Sequence, residues 1–355
     1  MKNTSQISAR SVRIVALGGG TGLSTVLRGL KEYVATRKNE SRPLPISDLA
    51  AVVTVTDDGG SSGRLRREYR VLPPGDIRNC MVALSKDEDL LGKLFQYRFP
   101  LGGGLSGHSF GNLFLTALTN VTGDFPEAVR VSSSVLAIRG RIYPSTAQNI
   151  TLEAKLDDGH VVAGETNISR SKKRIRRIRL VPRRVRAVPE VLEAIRKADL
   201  ILIGPGSLYT SIIPNLLIDQ ILGAIVRSNA TCVYIANLMT QPGETQKYSV
   251  ADHIHAIYEH TRKAIFDCVV INCKPMPSAL LKKYLWQGAE PVEPSLAELQ
   301  HMGIRCITGD FLHHSEVLRH DQAKLARLLL QTFVSKQRSK RAVGKRNSPG
   351  RRRST

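Results

Sequence analysis

Cysteine is scarce in this 355-residue chain: Cys80, Cys232, Cys268, Cys273 and Cys306 are odd in number and show no C-x-x-C spacing. That excludes a disulfide framework and a zinc ribbon, and leaves buried thiols as the plain reading. Long apolar runs are missing as well. Nothing approaches the roughly 18 to 20 residues of a membrane span, so no span is expected. The opening MKNTSQISARS carries two basic residues but no apolar stretch of about 7 to 15 before a small-residue cleavage site, so a secretory signal is not expected and the cytoplasm is. Acidic residues are few too: 30 Asp+Glu stand against 52 Lys+Arg, a formal charge of +22.

The surplus is local. Ten basic residues and no acidic one lie between Arg170 and Arg186, and nine more, again with no acid, between Lys336 and Arg353. The rest is nearly balanced, which describes an ordinary domain with two basic appendages. Residues 1–11 are expected to be flexible. The tail 336–355 has too few apolar residues to pack and is expected to be disordered. Contact of that tail with nucleic acid, anionic lipid or an acidic partner is the less favoured reading. Within the first basic segment, RIRRIRL (174–180) places Ile175, Ile178 and Leu180 so as to suggest a strand with a basic face.

Hydrophobic periodicity organises the remainder. Apolar strands are expected at 12–17, 50–56, 200–203, 232–237 and 268–272, and helices at 108–121, 125–138, 188–197, 215–226, 251–262 and 322–334, with further helices after the glycines at 18–22 and after Pro73-Pro74-Gly75-Asp76 to about Leu84. The fold class that follows is α/β: a Rossmann-like, mainly parallel sheet with helices on both faces. Between 141 and 186 the period changes toward two, and NITLEAKLDDGHVVAGE reads as two strands around Asp157-Asp158-Gly159. Residues 12–140 and 187–335 are thus expected to form the core, and 141–186 a small β-rich insert.

In such a fold, ligands lie beyond the carboxyl ends of the strands, where helix amides point outward. GGGTG (Gly18, Gly19, Gly20, Thr21, Gly22) follows the first strand, but Leu23 holds the sixth position of a dinucleotide fingerprint. Asp57 lies 35 residues past Gly22 rather than about 20, and no Gly-Lys-Ser/Thr follows, so NAD and Walker-type ATP binding are disfavoured. TDDGGSSGRLR (56–66) brings Asp57, Asp58, Ser61, Ser62 and Arg64 together as a flexible loop suited to an anionic, oxygen-rich ligand. In PPGDIRN (73–79), Asp76 and Asn79 occupy the first turn of a helix, where Asp76 is either a cap or, with Asp58, half of a site for a divalent ion such as Mg2+. GHSFGN (107–112) offers His108, Ser109 and Asn112, with Ser109 as a cap and a neutral His108 as donor or acid. IGPGSLYTSIIPN (203–215) supplies Gly204, Gly206, Ser207, Tyr209 and Thr210, and NLMTQPGET (237–245) supplies Asn237 and Thr240. All point to one shared cleft, with no catalytic residue singled out.

Taken in order, VALGGGTGLS, VVTVTDDGGSSGRLR, PPGDIRNC, GHSFGNL, ADLILIGPGSLYTSIIPNLL, NLMTQPGET with the later DHI, and LRHD (318–321) resemble the gluconeogenesis factors of the YvcK type. That family is related in fold to the CofD-like 2-phospho-L-lactate transferase. The resemblance spans about residues 12–334. It implies a core that binds a UDP-sugar such as UDP-N-acetylglucosamine, in a cytoplasmic protein tied to cell shape and envelope synthesis during gluconeogenic growth. It also adds Arg319 to the binding residues. The expected partners are that UDP-sugar, a protein of envelope synthesis and further copies of the chain. Three functions remain open at this stage: a nucleotide-sugar sensor, a Mg2+-assisted transferase and, least favoured, a nucleic-acid binder. The basic segment 170–186 and the arginine-rich tail depart from the family pattern.

Overall fold

The computed structural model describes residues 11–35, 45–86, 90–171, 173–313 and 317–334. The flexible start expected before residue 11 and the tail 336–355 lie outside them. Among the described residues ten strands form: β1 (Val12–Gly18), β2 (Ile46–Val53), β3 (Arg141–Pro144), β4 (Thr151–Leu156), β5 (Val161–Ala163), β6 (Ile175–Val181), β7 (Leu200–Ile203), β8 (Thr231–Ile235), β9 (Cys268–Asn272) and β10 (Arg305–Gly309). Seven of them pair in the order β10-β9-β8-β7-β1-β2-β3, with every pairing parallel.

Helices cover both faces, so the strands have no water-facing side and read as apolar runs: Leu49 to Val53 of β2 are all fully buried. β1 lies inside the sheet beside the central strand β7, with β2 on its other side. The strand order reverses direction between β1 and β7, and in an open α/β sheet that switch point opens the crevice that holds ligands. Both strands end there in glycine turns.

The small sheet, in the order β5-β4-β6, is antiparallel. In β6, Ile175, Ile178 and Leu180 face the core while Arg176, Arg177 and Arg179 are exposed, as the alternation predicts. The sheet is tied to the main body by the Ile178 N–H, which donates to Nε2 of His260 at 2.9 Å.

Three expectations change. Arg141–Pro144, assigned by sequence to the insert, is the edge strand of the large sheet beside β2. The segment 56–66 is not a flexible loop: from Gly60 it is the helix Gly60–Tyr69, with Ser61, Ser62, Gly63 and Leu65 buried. Gly63 permits this, because a Cβ there would lie 1.9 Å from the carbonyl oxygen of Asp58. The helix expected at 215–226 starts instead at Leu208, directly after the second glycine turn, and bends by 72° between Leu208–Leu216 and Asp219–Arg227. β10 and the helix Ser278–Trp286 were not anticipated. Among the described residues no single helix is long and apolar enough to cross a membrane.

Candidate functional site

The two glycine turns meet at the switch point. Gly22, in the first turn of the helix Gly20–Leu30, packs so closely on the Gly204-Pro205-Gly206 turn that a Cβ would lie 2.3 Å from the Pro205 carbonyl oxygen. Gly19 has Asp76, Thr54 and Ser211 within the space a Cβ would fill, the nearest being Asp76 Oδ2 at 2.7 Å. Asn237, two residues past β8, grips the second turn from both sides: its Oδ1 accepts from the Gly206 N–H at 3.0 Å and its Nδ2 donates to the Gly206 carbonyl at 2.8 Å. Ser207 is fixed by Glu244, donating its hydroxyl to Oε1 at 2.8 Å.

Three helical segments begin at this rim: Gly20–Leu30 after Gly19, Gly60–Tyr69 after Gly59, and Leu208–Ile212 after Ser207. None has a side-chain cap, and none has an acid in its first turn. By contrast, Phe125–Val135, Val250–Thr261 and Gln322–Leu329 are capped by Asp124, Ser249 and Asp321. An uncapped helix start leaves N–H groups and the positive end of the helix dipole for an anion; here buried carboxylates take part of that set, Asp76 accepting from the Gly20 N–H and Glu244 from the Tyr209 N–H. Thr21 is exposed at the first of these starts.

Polar side chains from the two flanking helices hold this wall. Ser61 Oγ lies 3.0 Å from His108 Nδ1, and Asn112 Nδ2 donates to Ser61 at 3.1 Å and to Ser62 at 3.5 Å. Burial, with Arg64 nearby, lowers the pKa of His108, so the ring is neutral at pH 7. Ser109 caps its helix as expected and also accepts from Arg78 at 2.6 Å. The same guanidinium donates to Asn79 Oδ1 at 2.7 Å, and Arg64 donates to the Ser106 carbonyl at 2.6 Å. Ser61, Ser62, His108, Ser109 and Asn112 are thus buried in the frame.

Four carboxylates close the floor. Burial first, then the charge of Asp57, pushes Asp76 up to about 7. Glu165, which the insert brings in at the start of the helix Glu165–Arg170, is raised well above its ordinary value by burial and by Asp57, Asp76, Glu244 and Asp58. Its Oε2 accepts from Thr56 at 3.3 Å. Burial likewise raises Glu244. Sequence reading missed Glu165 and Glu244.

The expected pair of Asp58 with Asp76 is rearranged. Asp58 Oδ1 accepts from the Thr166 N–H at 2.8 Å and from its hydroxyl at 2.6 Å, pinning the insert to the core. Asp57 is the neighbour of Asp76, with its Oδ2 2.8 Å from where a Gly75 Cβ would stand. Among the described residues no three His, Cys, Asp or Glu side chains form a ready-made metal cage. Mg2+ shared with ligand phosphates needs only one or two carboxylates, and the donor chemistry of Asp57 and Asp76 fits that role.

Tyr209 and Thr210 are buried, and the Thr210 carbonyl accepts from the Thr56 hydroxyl at 3.1 Å. Tyr209 is buried against Tyr248, with the two hydroxyls 2.8 Å apart, and Thr210 is buried beside it. Thr240 is buried and accepts from the Glu290 N–H at 2.9 Å. Arg319 is exposed on the strap after β10, where Leu312 bridges His320.

The buried His320 anchors that strap through the Ala236 backbone, and burial lowers its pKa to about 4. A base with a depressed folded pKa stabilises the fold above its unfolded value of 6.5 and loses that contribution as pH falls through about 4. H320Q, neutral throughout, should therefore unfold in acid at a lower pH than the wild-type chain, as read by a circular-dichroism titration.

A family model described as 2-phospho-L-lactate transferase CofD matches residues 14–312. The protein named gluconeogenesis factor in Bacillus subtilis is 46% identical over 319 residues, covering 90% of this chain and 97% of that one. The one of the same name in Halalkalibacterium halodurans is 46% identical over 319 residues, covering 90% and 95%. A crystal structure of a UPF0052-family protein from Bacillus halodurans aligns with a TM-score of 0.84 at 45% identity, covering 90% of this chain and 99% of that one.

Proposed function

The chain belongs to the CofD family, and from that membership we propose that it is a cytoplasmic regulator, like the relatives named gluconeogenesis factors, whose switch-point cleft binds a UDP-sugar such as UDP-N-acetylglucosamine and reports that state to a protein of envelope synthesis. The observation that carries the reading is the meeting of Gly22 with the Pro205 turn. It sets uncapped helix starts side by side, where their amides suit a diphosphate. The carboxylate floor would repel a bare diphosphate, so the ligand is expected to enter with a divalent cation. Mg2+ held by Asp57 and Asp76 would neutralise phosphate oxygens.

Calorimetry with UDP-N-acetylglucosamine, with and without Mg2+, tests this. Binding that strengthens with the cation supports it, and no heat in either condition refutes it. Arg319 is exposed and its only hydrogen bond among the described residues is through its backbone carbonyl, to the His313 N–H at 3.0 Å, so R319A should weaken binding by about 1 to 2 kcal/mol while the melting temperature stays put. Unchanged affinity would remove Arg319 from the site.

The Asp57–Asp76 pair also favours a second reading, transfer of a phospholactyl-type group from a nucleotide diphosphate donor to an alcohol. Mg2+-dependent nucleotide release above the D76N background supports it, and its absence across related donors favours the regulator.

A further inference from the structure

Where the insert meets the main body, a groove of about 480 Å3 is lined by the cations Lys155, Arg177, Arg179 and Arg183 of the insert and Arg262 of the core, with Leu217 beside them. We propose that this groove binds the phosphodiester backbone of a single-stranded nucleic acid.

The first support is a pairing that the fold does not need. Lys155 of β4 and Arg177 of β6 are direct partners in the antiparallel register. Like charges placed opposite each other destabilise a sheet, so a bound anion gives this pair a use. The second is the absence of neutralising acids. Arg179 has Glu153 at 2.6 Å, while Lys155, Arg177, Arg183 and Arg262 have no carboxylate partner among the described residues. The third is chemistry: four of the five cations are arginines, whose planar forks suit phosphate oxygens. Along β6, Arg177 and Arg179 repeat every second residue, and Arg183, Arg184 and Arg186 continue the series in exposed positions. A linear series matches a chain of phosphates better than one compact anion.

The lining holds no aromatic ring, so base stacking is not available and binding is expected to be sequence-tolerant and carried by the backbone. A membrane surface fits less well. Interfacial binding needs an apolar face of aromatic or leucine side chains beside the cations, and the exposed apolar residues of this sheet are Val161 and Val181.

The test uses the full chain and fluorescence anisotropy of labelled oligouridylate and oligothymidylate about 16 nucleotides long across a salt series. Each phosphate contact on a single strand contributes about 0.7 to the slope of log affinity against log salt. R177Q combined with R183Q should flatten that slope by about 1.4 and weaken binding about tenfold at low salt. The paired control R352Q with R353Q, in the tail, should leave the groove's share intact. K155Q supplies a separate readout: it should raise the melting temperature, by removing the like-charge pair, while weakening binding.

Equal effects with both oligonucleotides support a shared phosphate chemistry, and an effect with one alone assigns the source. An unchanged slope in the groove variant, loss of all binding in the tail control, or a lower melting temperature in K155Q would overturn the proposal. So would phosphatidylglycerol vesicles or an acidic peptide that the oligonucleotide cannot displace.

Discussion

G22A should cost about 3 kcal/mol of stability and abolish measurable nucleotide-sugar binding. A Cβ at this position would stand 2.3 Å from the Pro205 carbonyl oxygen and 2.7 Å from its carbonyl carbon. Both atoms are backbone, so no side chain can swing away, and relief requires moving the helix Gly20–Leu30 or the Gly204-Pro205-Gly206 turn. Overpacking of this kind costs about 1 to 3 kcal/mol, and more where the neighbour is rigid. The second turn is rigid, since Asn237 bonds both sides of Gly206 and Glu244 holds Ser207. Separating the turns also separates the helix starts that are proposed to share one diphosphate, so affinity should fall further than stability. The measurements are urea unfolding and calorimetry with UDP-N-acetylglucosamine and Mg2+. G104A is the control, because a Cβ there meets nothing within 4 Å. A G22A chain as stable as wild type would show that the turns do not depend on this contact.

The switch point was legible because its physics is local. An apolar run that ends in glycines and continues with helical period at Leu23, Val26, Leu27 and Leu30 can be read in one window, and all four are buried against the sheet. The alternation in β6 is local in the same way. Gly60–Tyr69 was not legible, because Gly60, Ser61, Ser62 and Gly63 disfavour a helix start and a single leucine, Leu65, gives no apolar period. The helix is held by tertiary contacts instead: Ser61 with His108, 47 positions on, and Arg66 with the Ile150 carbonyl, 84 positions on. Asp58 misled for a related reason. Its chemistry suits a cation, but the fold supplies Thr166, 108 positions away, as its partner. Glu165 lies in a segment without a motif, and only the approach of the insert to the rim gives it a role; Glu244 lies within NLMTQPGET, but its partners Ser207 and Ser169 are 37 and 75 positions away. β10, only partly buried along its length, carries too weak a pattern to stand out.

D76N should make the ligand-free chain more stable than wild type at pH 8, by about 3 to 4 kcal/mol, and the gap should close near pH 4. The sign follows from linkage. Unfolded, Asp76 loses its proton near its ordinary 3.8, whereas in the fold, buried beside Asp57, it holds the proton up to about 7. The unfolded chain therefore binds fewer protons between those values, and stability drains away by about 1.4 kcal/mol per pH unit as pH rises. Below 3.8 both states are protonated and nothing is lost. Asparagine keeps an oxygen to accept the Gly20 N–H that Asp76 accepts, and it carries no charge, so the variant lacks this drain. Glu165 drains stability in the same direction, and E165Q should reproduce part of the gain. Mg2+ at pH 8 separates a functional cluster from a merely costly one: if Asp57 and Asp76 share the cation, it should raise the wild-type melting temperature and leave D76N unmoved. Parallel stability curves for the two chains between pH 4 and pH 8 would mean that Asp76 ionises freely in the fold. A Mg2+ effect of equal size in both would place the cation elsewhere.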